Sequence, residues 1–400
     1  MKKTPIFLFI VIAFFISFAD GLMSYISPVF IESKLNSAFL MGIIFSFSSV
    51  VGIICDLIFP KIFHKRPHYF FLKATLLSAV MFPLTYLLFP NNIFTFLIAM
   101  TIWGIYYELN IFSSFHFVHT YVGIDQHTRT WGIIQSIQNF SYALAPLLAI
   151  QLLSFGYNTS FVAVCFILFI SIIPTLLFKN KFVKDKPVKE TKSVKSWIKE
   201  IKIWKLLFPK VWHLLILQII INVIDSGFWT IGTLFTQELN NQHHLGGLFL
   251  TAYIAPSIIA GFLLGKANQK SGKKKLAIIS SMIAGLSLSS LFLVNSVNLI
   301  LTLTAITSFF IGAAVPELKA TFEDYVSRLK EDDNEMIGLQ SSSTSFAYVI
   351  GPIMSAYLAG FLGYKTAFSI LGLIMLLTSI ILIFIIPKKI KMPQKELAKI

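Results

Sequence analysis

Twelve apolar stretches of about twenty residues each run through the chain, at 6–30, 38–59, 69–89, 93–118, 131–155, 159–178, 211–236, 245–265, 275–294, 298–318, 337–361 and 364–386. At 1.5 Å per residue, a helix of that length crosses the roughly 30 Å hydrocarbon layer of a bilayer. Only a helix or a closed barrel satisfies its own backbone there, and runs this long select the helix. The expected fold is therefore an all-α membrane protein with twelve transmembrane helices. Composition agrees: 56% of the 400 residues are apolar and 13% charged, with 40 phenylalanines. A chain this greasy needs an outside that also faces grease, and the lipid bilayer is its first partner.

The net charge of +15 would suggest nucleic acid in a soluble protein. Here Lys and Arg fall in the gaps between spans, and they alternate. Gaps on the side of the N-terminus receive 29, while the other side receives only Lys34 and Lys365. The positive-inside rule places both termini in the cytoplasm, in a multi-pass protein of the cytoplasmic membrane. No nucleic-acid role is expected. Cys55 and Cys165 lie inside apolar stretches and read as free thiols.

The longest gap contains eleven lysines from Lys179 to Lys210 and divides the chain six plus six. The expected organisation is an N-terminal bundle at 1–178, a basic cytoplasmic linker at 179–210, a C-terminal bundle at 211–387 and a tail at 388–400. Within the linker, Trp197, Ile198, Trp204 and Leu207 recur at near-helical spacing among lysines. That pattern predicts an amphipathic helix on the inner membrane face, attracted by anionic lipid.

The halves repeat. Asp20, Phe30 and Gly42 match Asp225, Phe235 and Gly247 at a shift of 205. Gly132, Tyr142 and Pro146 match Gly338, Tyr348 and Pro352 at 206, Gly156-Tyr157 matches Gly363-Tyr364 at 207, and Glu108-Leu109 matches Glu317-Leu318 at 209. Both halves enter from the same side, which makes the repeat parallel and predicts two pseudo-symmetric six-helix bundles.

Local motifs point the same way. Gly52, then Asp56, then Lys61, Lys65 and Arg66 stand after the second span. Gly261, Gly265 and Lys266 through Lys274 echo that loop in the second half. The fifth helix contains Ser141, Ala145 and Pro146, and the eleventh Ala347, Gly351 and Pro352. Together with the repeat, these resemble the major facilitator superfamily. The resemblance implies a transporter fold, with Asp56 pinning helix ends and Pro146 and Pro352 in a weakened antiporter-type motif. Met100 stands near the place of the buried Arg on the family's fourth helix.

A charge at bilayer depth is costly and needs a reason. Asp20 and Asp225 each lie about fourteen residues, roughly 20 Å, into a span, and are the first candidates for a proton or cation site. Their helices carry polar stripes, with Ser24 on the first and Asn222 and Trp229 on the seventh. Gln135, Gln138, Asn139 and Tyr142 share one face of the fifth helix, and Gln340, Thr344 and Tyr348 one face of the eleventh. Steps of three and four keep such residues on one side, which must face protein or water. A central aqueous cavity follows. Glu108 is expected to act as a gate or proton relay; Glu317, near the inner end of the tenth span, is read either as its counterpart or as a helix-end charge. His116 and His119 are expected to be solvated.

No P-loop, His-Glu-x-x-His site or Cys/His metal cluster occurs, so no metal, cofactor or enzymatic reaction is expected. The sequence reads as a monomeric secondary transporter of a small-molecule substrate, coupled to protons by Asp20, Asp225, Glu108 and Glu317. Two alternatives stand beside it: a lipid or amphiphile transporter of the same fold, and a non-transporting membrane sensor.

Overall fold

The computed structural model describes residues 3–63, 66, 68–122, 127–182, 197–264, 272–329 and 333–387. These form twelve helices: α1 (Lys3–Leu35), α2 (Ala38–Ile62), α3 (His68–Leu88), α4 (Ile93–Tyr121), α5 (His127–Ser154), α6 (Tyr157–Phe182), α7 (Trp197–Gln242), α8 (Phe249–Leu264), α9 (Lys273–Ser289), α10 (Val297–Leu329), α11 (Asp333–Leu362) and α12 (Tyr364–Ile385). Eleven are long and apolar enough to cross a membrane. The expected eighth span differs. It opens with a 3₁₀ turn at His244–Leu248, where Gly246 packs close to the backbone of Leu239, and continues as α8, described as far as Leu264. Linker residues 183–196, the segment from Gly265 to Lys270, Lys65 and the tail 388–400 lie outside the described residues.

The linker expectation also meets a difference. The amphipathic stretch from Trp197 is not a separate helix but the first part of α7, which runs unbroken for 46 residues. At 1.5 Å per residue it is about 69 Å long, roughly twice a bilayer's hydrocarbon. Ile203 and Leu207 are fully buried and Trp204 lies 3.5 Å from where a Cβ on Gly338 would sit, so protein packing holds this stretch.

Cα packing divides the chain into two units, Met1–Lys189 with Trp229–Ile254, and Glu190–Phe228 with Ala255–Ile400. In the first, α1 packs on α5 and α6, α4 on α2 and α3, and α3 on α6. In the second, α9 packs on α10 and α12, and α11 on α10 and α12. The C-terminal part of α7 and the first turn of α8 belong to the first unit: Thr251 donates to the Ala143 carbonyl at 3.3 Å, and Phe235 meets Phe249 edge-on.

The repeat is visible in how helices cross. Gly104 of α4 lies directly on the Ser48 carbonyl of α2; a Cβ at Gly312 of α10 would come 2.6 Å from the Cα of Ser257 on α8. At the other crossing the small residue changes sides. Gly21 of α1 faces Ala145 of α5, with 2.7 Å for an added Cβ, whereas Ser226 of α7 faces Gly351 of α11. Small residues let backbones approach, which is where membrane helices find their attraction. Gly156 and Gly363, matched by the repeat, both take positive φ, at 97° and 80°, where α6 and α12 begin.

We expect Gly312→Val to lower the melting temperature in detergent by several degrees, since overpacking against backbone costs about 1–3 kcal/mol. Gly360→Val is the matched control, because a Cβ there meets nothing within 4 Å. Equal losses in the two variants would contradict the close crossing of α8 and α10.

Candidate functional site

Asp20 sits in mid-α1 and is 5% exposed. The Trp103 indole N–H donates to its Oδ1 at 2.9 Å, and the Tyr142 hydroxyl donates to its Oδ2 at 2.6 Å. The Tyr107 hydroxyl is a third partner and also bonds to Ser24. Trp103 and Tyr107 are one turn apart on α4, so a single helix face offers both. Trp103 is in turn held between Phe45, at 4.9 Å, and Phe82, stacked at 5.3 Å. The carboxyl therefore lies in a cage of aromatic donors, with no Lys or Arg in ion-pair distance among the described residues. Beside it is a small apolar cavity bounded by Ala19, Met23, Phe82 and Leu168. The group is held by these hydrogen bonds rather than by an ion pair.

The second unit repeats the pair. Asp225 of α7 accepts a hydrogen bond from the Tyr348 hydroxyl of α11. Asp20 with Tyr142 and Asp225 with Tyr348 thus correspond, each acid sitting one residue before the small residue that makes the helix crossing. The environments are not equal, since Asp20 is buried and Asp225 half-buried.

Polar faces come together within each unit. Gln218 donates to Thr344 Oγ1 at 2.6 Å and to the Gln340 carbonyl at 3.3 Å, and Asn222 approaches Thr344 at 3.4 Å. Gln135 donates to Asn139 at 3.0 Å on the exposed side of α5, with Gln138 half-exposed nearby. Trp229 stands edge-on to the Tyr142 ring at 5.5 Å. Pro146 and Pro352 follow Ala145 and Gly351 at the crossings.

Glu108 is not near Asp20's carboxyl cage. It is buried against α2, where its Oε1 is 3.2 Å from where a Cβ on Gly52 would sit, and its carboxyl hydrogen-bonds that of Asp56. The motif residues Gly52 and Asp56 and the expected relay Glu108 are therefore one cluster. Glu317 is buried, and α10 continues to Leu329, so it lies three turns before the helix end rather than at it. Beyond it Asp324 pairs with Lys273 at 2.8 Å. His116 is stacked on Phe71 at 4.5 Å instead of being freely solvated, and buried His68 lies among Phe9, Phe117 and Tyr121.

Sequence reasoning missed Trp103, Tyr107 and Gln218. Trp103 and Tyr107 carried one available signal, a polar-tipped aromatic pair four residues apart inside an apolar run. No group of three or more metal-ligating side chains occurs among the described residues.

Comparison with known proteins places these features. Over 170 residues, covering 42% of this chain and 43% of the relative, the chain is 24% identical to Sugar efflux transporter A of Escherichia coli (strain K12). It is 22% identical over 217 residues, 53% of this chain and 52% of the relative, to the multi-drug resistance efflux pump PmrA homolog of Lactococcus lactis subsp. lactis (strain IL1403). The chain thus spans about half the length of the curated relatives it matches. The crystal structure of a POT family transporter in complex with 5-aminolevulinic acid covers 96% of both chains with a TM-score of 0.75 at 14% identity, a likeness of fold. The sequence model of the Major Facilitator Superfamily matches residues 214–399. The likeness of fold runs the length of the chain, and the family's sequence model matches its second half.

Proposed function

We propose that this chain is a secondary active transporter that moves a small molecule across the cytoplasmic membrane by alternating access, driven by the proton gradient. The observation that carries this reading is the pair of repeat-related Asp–Tyr contacts, Asp20–Tyr142 and Asp225–Tyr348. Each places an acid on a polar face at mid-helix, where a charge without function is selected against. The Asp56–Glu108 cluster adds a second acidic element. The substrate is uncharged or cationic, because acids and not bases accompany the polar side chains. The names of the two curated relatives support a sugar or a drug and the direction of efflux.

The test is uptake into inside-out vesicles of purified protein, with sugars and cationic drugs offered under an imposed proton gradient. Accumulation that collapses when the gradient is dissipated supports the reading. Substrate binding with no gradient-dependent flux for any compound would favour a membrane sensor instead.

The orientation, with both termini cytoplasmic, rests on the Lys and Arg alternation. A cysteine at exposed Asn91, between α3 and α4, is expected to react with a membrane-impermeant maleimide added outside intact cells. Reaction only after the membrane is opened would reverse the topology.

A further inference from the structure

The first third of α7 carries a stripe that packing leaves uncovered. Lys202, Lys205, Phe208, Trp212 and Ile216 follow one another at steps of three, three, four and four, which keeps them on one helix face. Both lysines are exposed, Phe208 is 53% and Ile216 36% exposed, and Trp212 is half-buried. On the opposite face Ile203, Leu207 and Val211 are 1%, 0% and 0% exposed. Packing within the unit therefore fixes the rotation of the helix and aims the stripe outward.

The chemistry along the stripe is graded. Ile216 is aliphatic, Trp212 and Phe208 are aromatic, and Lys205 and Lys202 are cationic. Trp212 and Lys205 are seven residues apart, about 10 Å along the axis, comparable with the depth of the headgroup layer. Aromatic rings settle at that boundary and lysines extend beyond it to anionic phosphates. Neither lysine has an acidic partner among the described residues. Pro209, on the same face, has no N–H, so the Lys205 carbonyl is released from the helix ladder on the headgroup side.

We propose that this stripe is a binding site for anionic phospholipid, with Lys202 and Lys205 holding the headgroup phosphate and Phe208 and Trp212 seating the first segment of the acyl chains. The site is independent of the transport reading, and its test requires no substrate.

The experiment compares full-length protein in nanodiscs of phosphatidylcholine alone and of phosphatidylcholine with a minor fraction of phosphatidylglycerol, counting retained lipid by native mass spectrometry. Each lysine near an anionic surface contributes about 1 kcal/mol, so the pair gives a preference for phosphatidylglycerol of about thirtyfold. Lys202→Gln with Lys205→Gln should bring that preference close to one, and Lys202→Arg with Lys205→Arg should keep it. Raised salt should weaken it in the parent, as screening requires. Inorganic phosphate added in excess distinguishes a simple anion site: if it displaces the lipid, the acyl seat is absent and the proposal fails. A glutamine variant that retains the full lipid preference also overturns it. Monodisperse elution of the arginine variant shows that substitution on this exposed face is tolerated, and Phe208→Ser gives an independent reading, a several-fold loss with both lysines in place.

Discussion

Vesicles containing Asp225→Asn protein should show no uphill accumulation of substrate while counterflow continues at a measurable rate. One proton moved down a gradient of one pH unit supplies about 1.4 kcal/mol, enough for about tenfold accumulation. A variant that binds substrate but carries no proton settles at a ratio near one. The amide keeps the size of the carboxylate and still accepts from the Tyr348 hydroxyl, so the α7–α11 contact survives. Asp225 is half-buried, whereas Asp20 is buried. Asp20→Asn should show the same loss, with a larger fall in counterflow because the cage around Asp20 is more tightly specified. Full accumulation by the double Asn variant would remove this pair as the coupling site and leave Glu108 with Asp56 as the next test. Loss of counterflow along with accumulation in Asp225→Asn would assign Asp225 to substrate binding instead.

Asp20→Ala should unfold the first unit far more readily than Asp20→Asn. The alanine leaves the Trp103 indole, the Tyr107 hydroxyl and the Tyr142 hydroxyl aimed at an empty space. An indole N–H can only donate, so Trp103 has no means of adapting, whereas hydroxyls can rotate. A buried donor left unmade costs about 1–3 kcal/mol, and with the two hydroxyls partly re-paired the total is about 3 kcal/mol or more. That corresponds to a large drop in melting temperature or a loss of monodisperse protein. Asn restores an acceptor and should recover most of it. Trp103→Phe removes the donor that cannot adapt, so the double variant Asp20→Ala, Trp103→Phe should cost less than the two single variants added together. Strict additivity would mean that the bond between Trp103 and Asp20 contributes nothing.

Much of the architecture was legible in the residues because bilayer crossing imposes length, and length survives without knowledge of packing. The drifting shift of 205 to 209 identified Asp20, Tyr142, Asp225 and Tyr348 as repeat-matched positions. It did not show that each acid meets its own tyrosine. That pairing depends on how closely α1 approaches α5 and α7 approaches α11, which is set by Gly21, Ala145, Ser226 and Gly351. Trp103 and Tyr107 stayed hidden for a different reason. In a membrane helix both the lipid face and the core face are apolar, so periodicity does not reveal which aromatic side chain points inward. The link between Glu108 and Asp56 was hidden by its distance in sequence, 52 positions across two spans. The start of α7 misled because lysines at helical spacing look alike whether the apolar face lies on lipid or on protein. Burial of Ile203 and Leu207 shows that this apolar face packs on protein.

The exchange of small residues between the two crossings has a consequence for which sequences the fold can accept. On one side the glycine belongs to the earlier helix, Gly21 opposite Ala145; on the other it belongs to the later one, Gly351 opposite Ser226. What the crossing limits is the number of side-chain atoms shared by the two partners, not the identity of either. Selection there acts on pairs. Gly21→Ala alone should be rejected, yet tolerated when Ala145→Gly accompanies it. A position that looks indispensable when mutated singly is thus one half of a reciprocal allowance, and the two halves of this chain have settled that allowance in opposite ways.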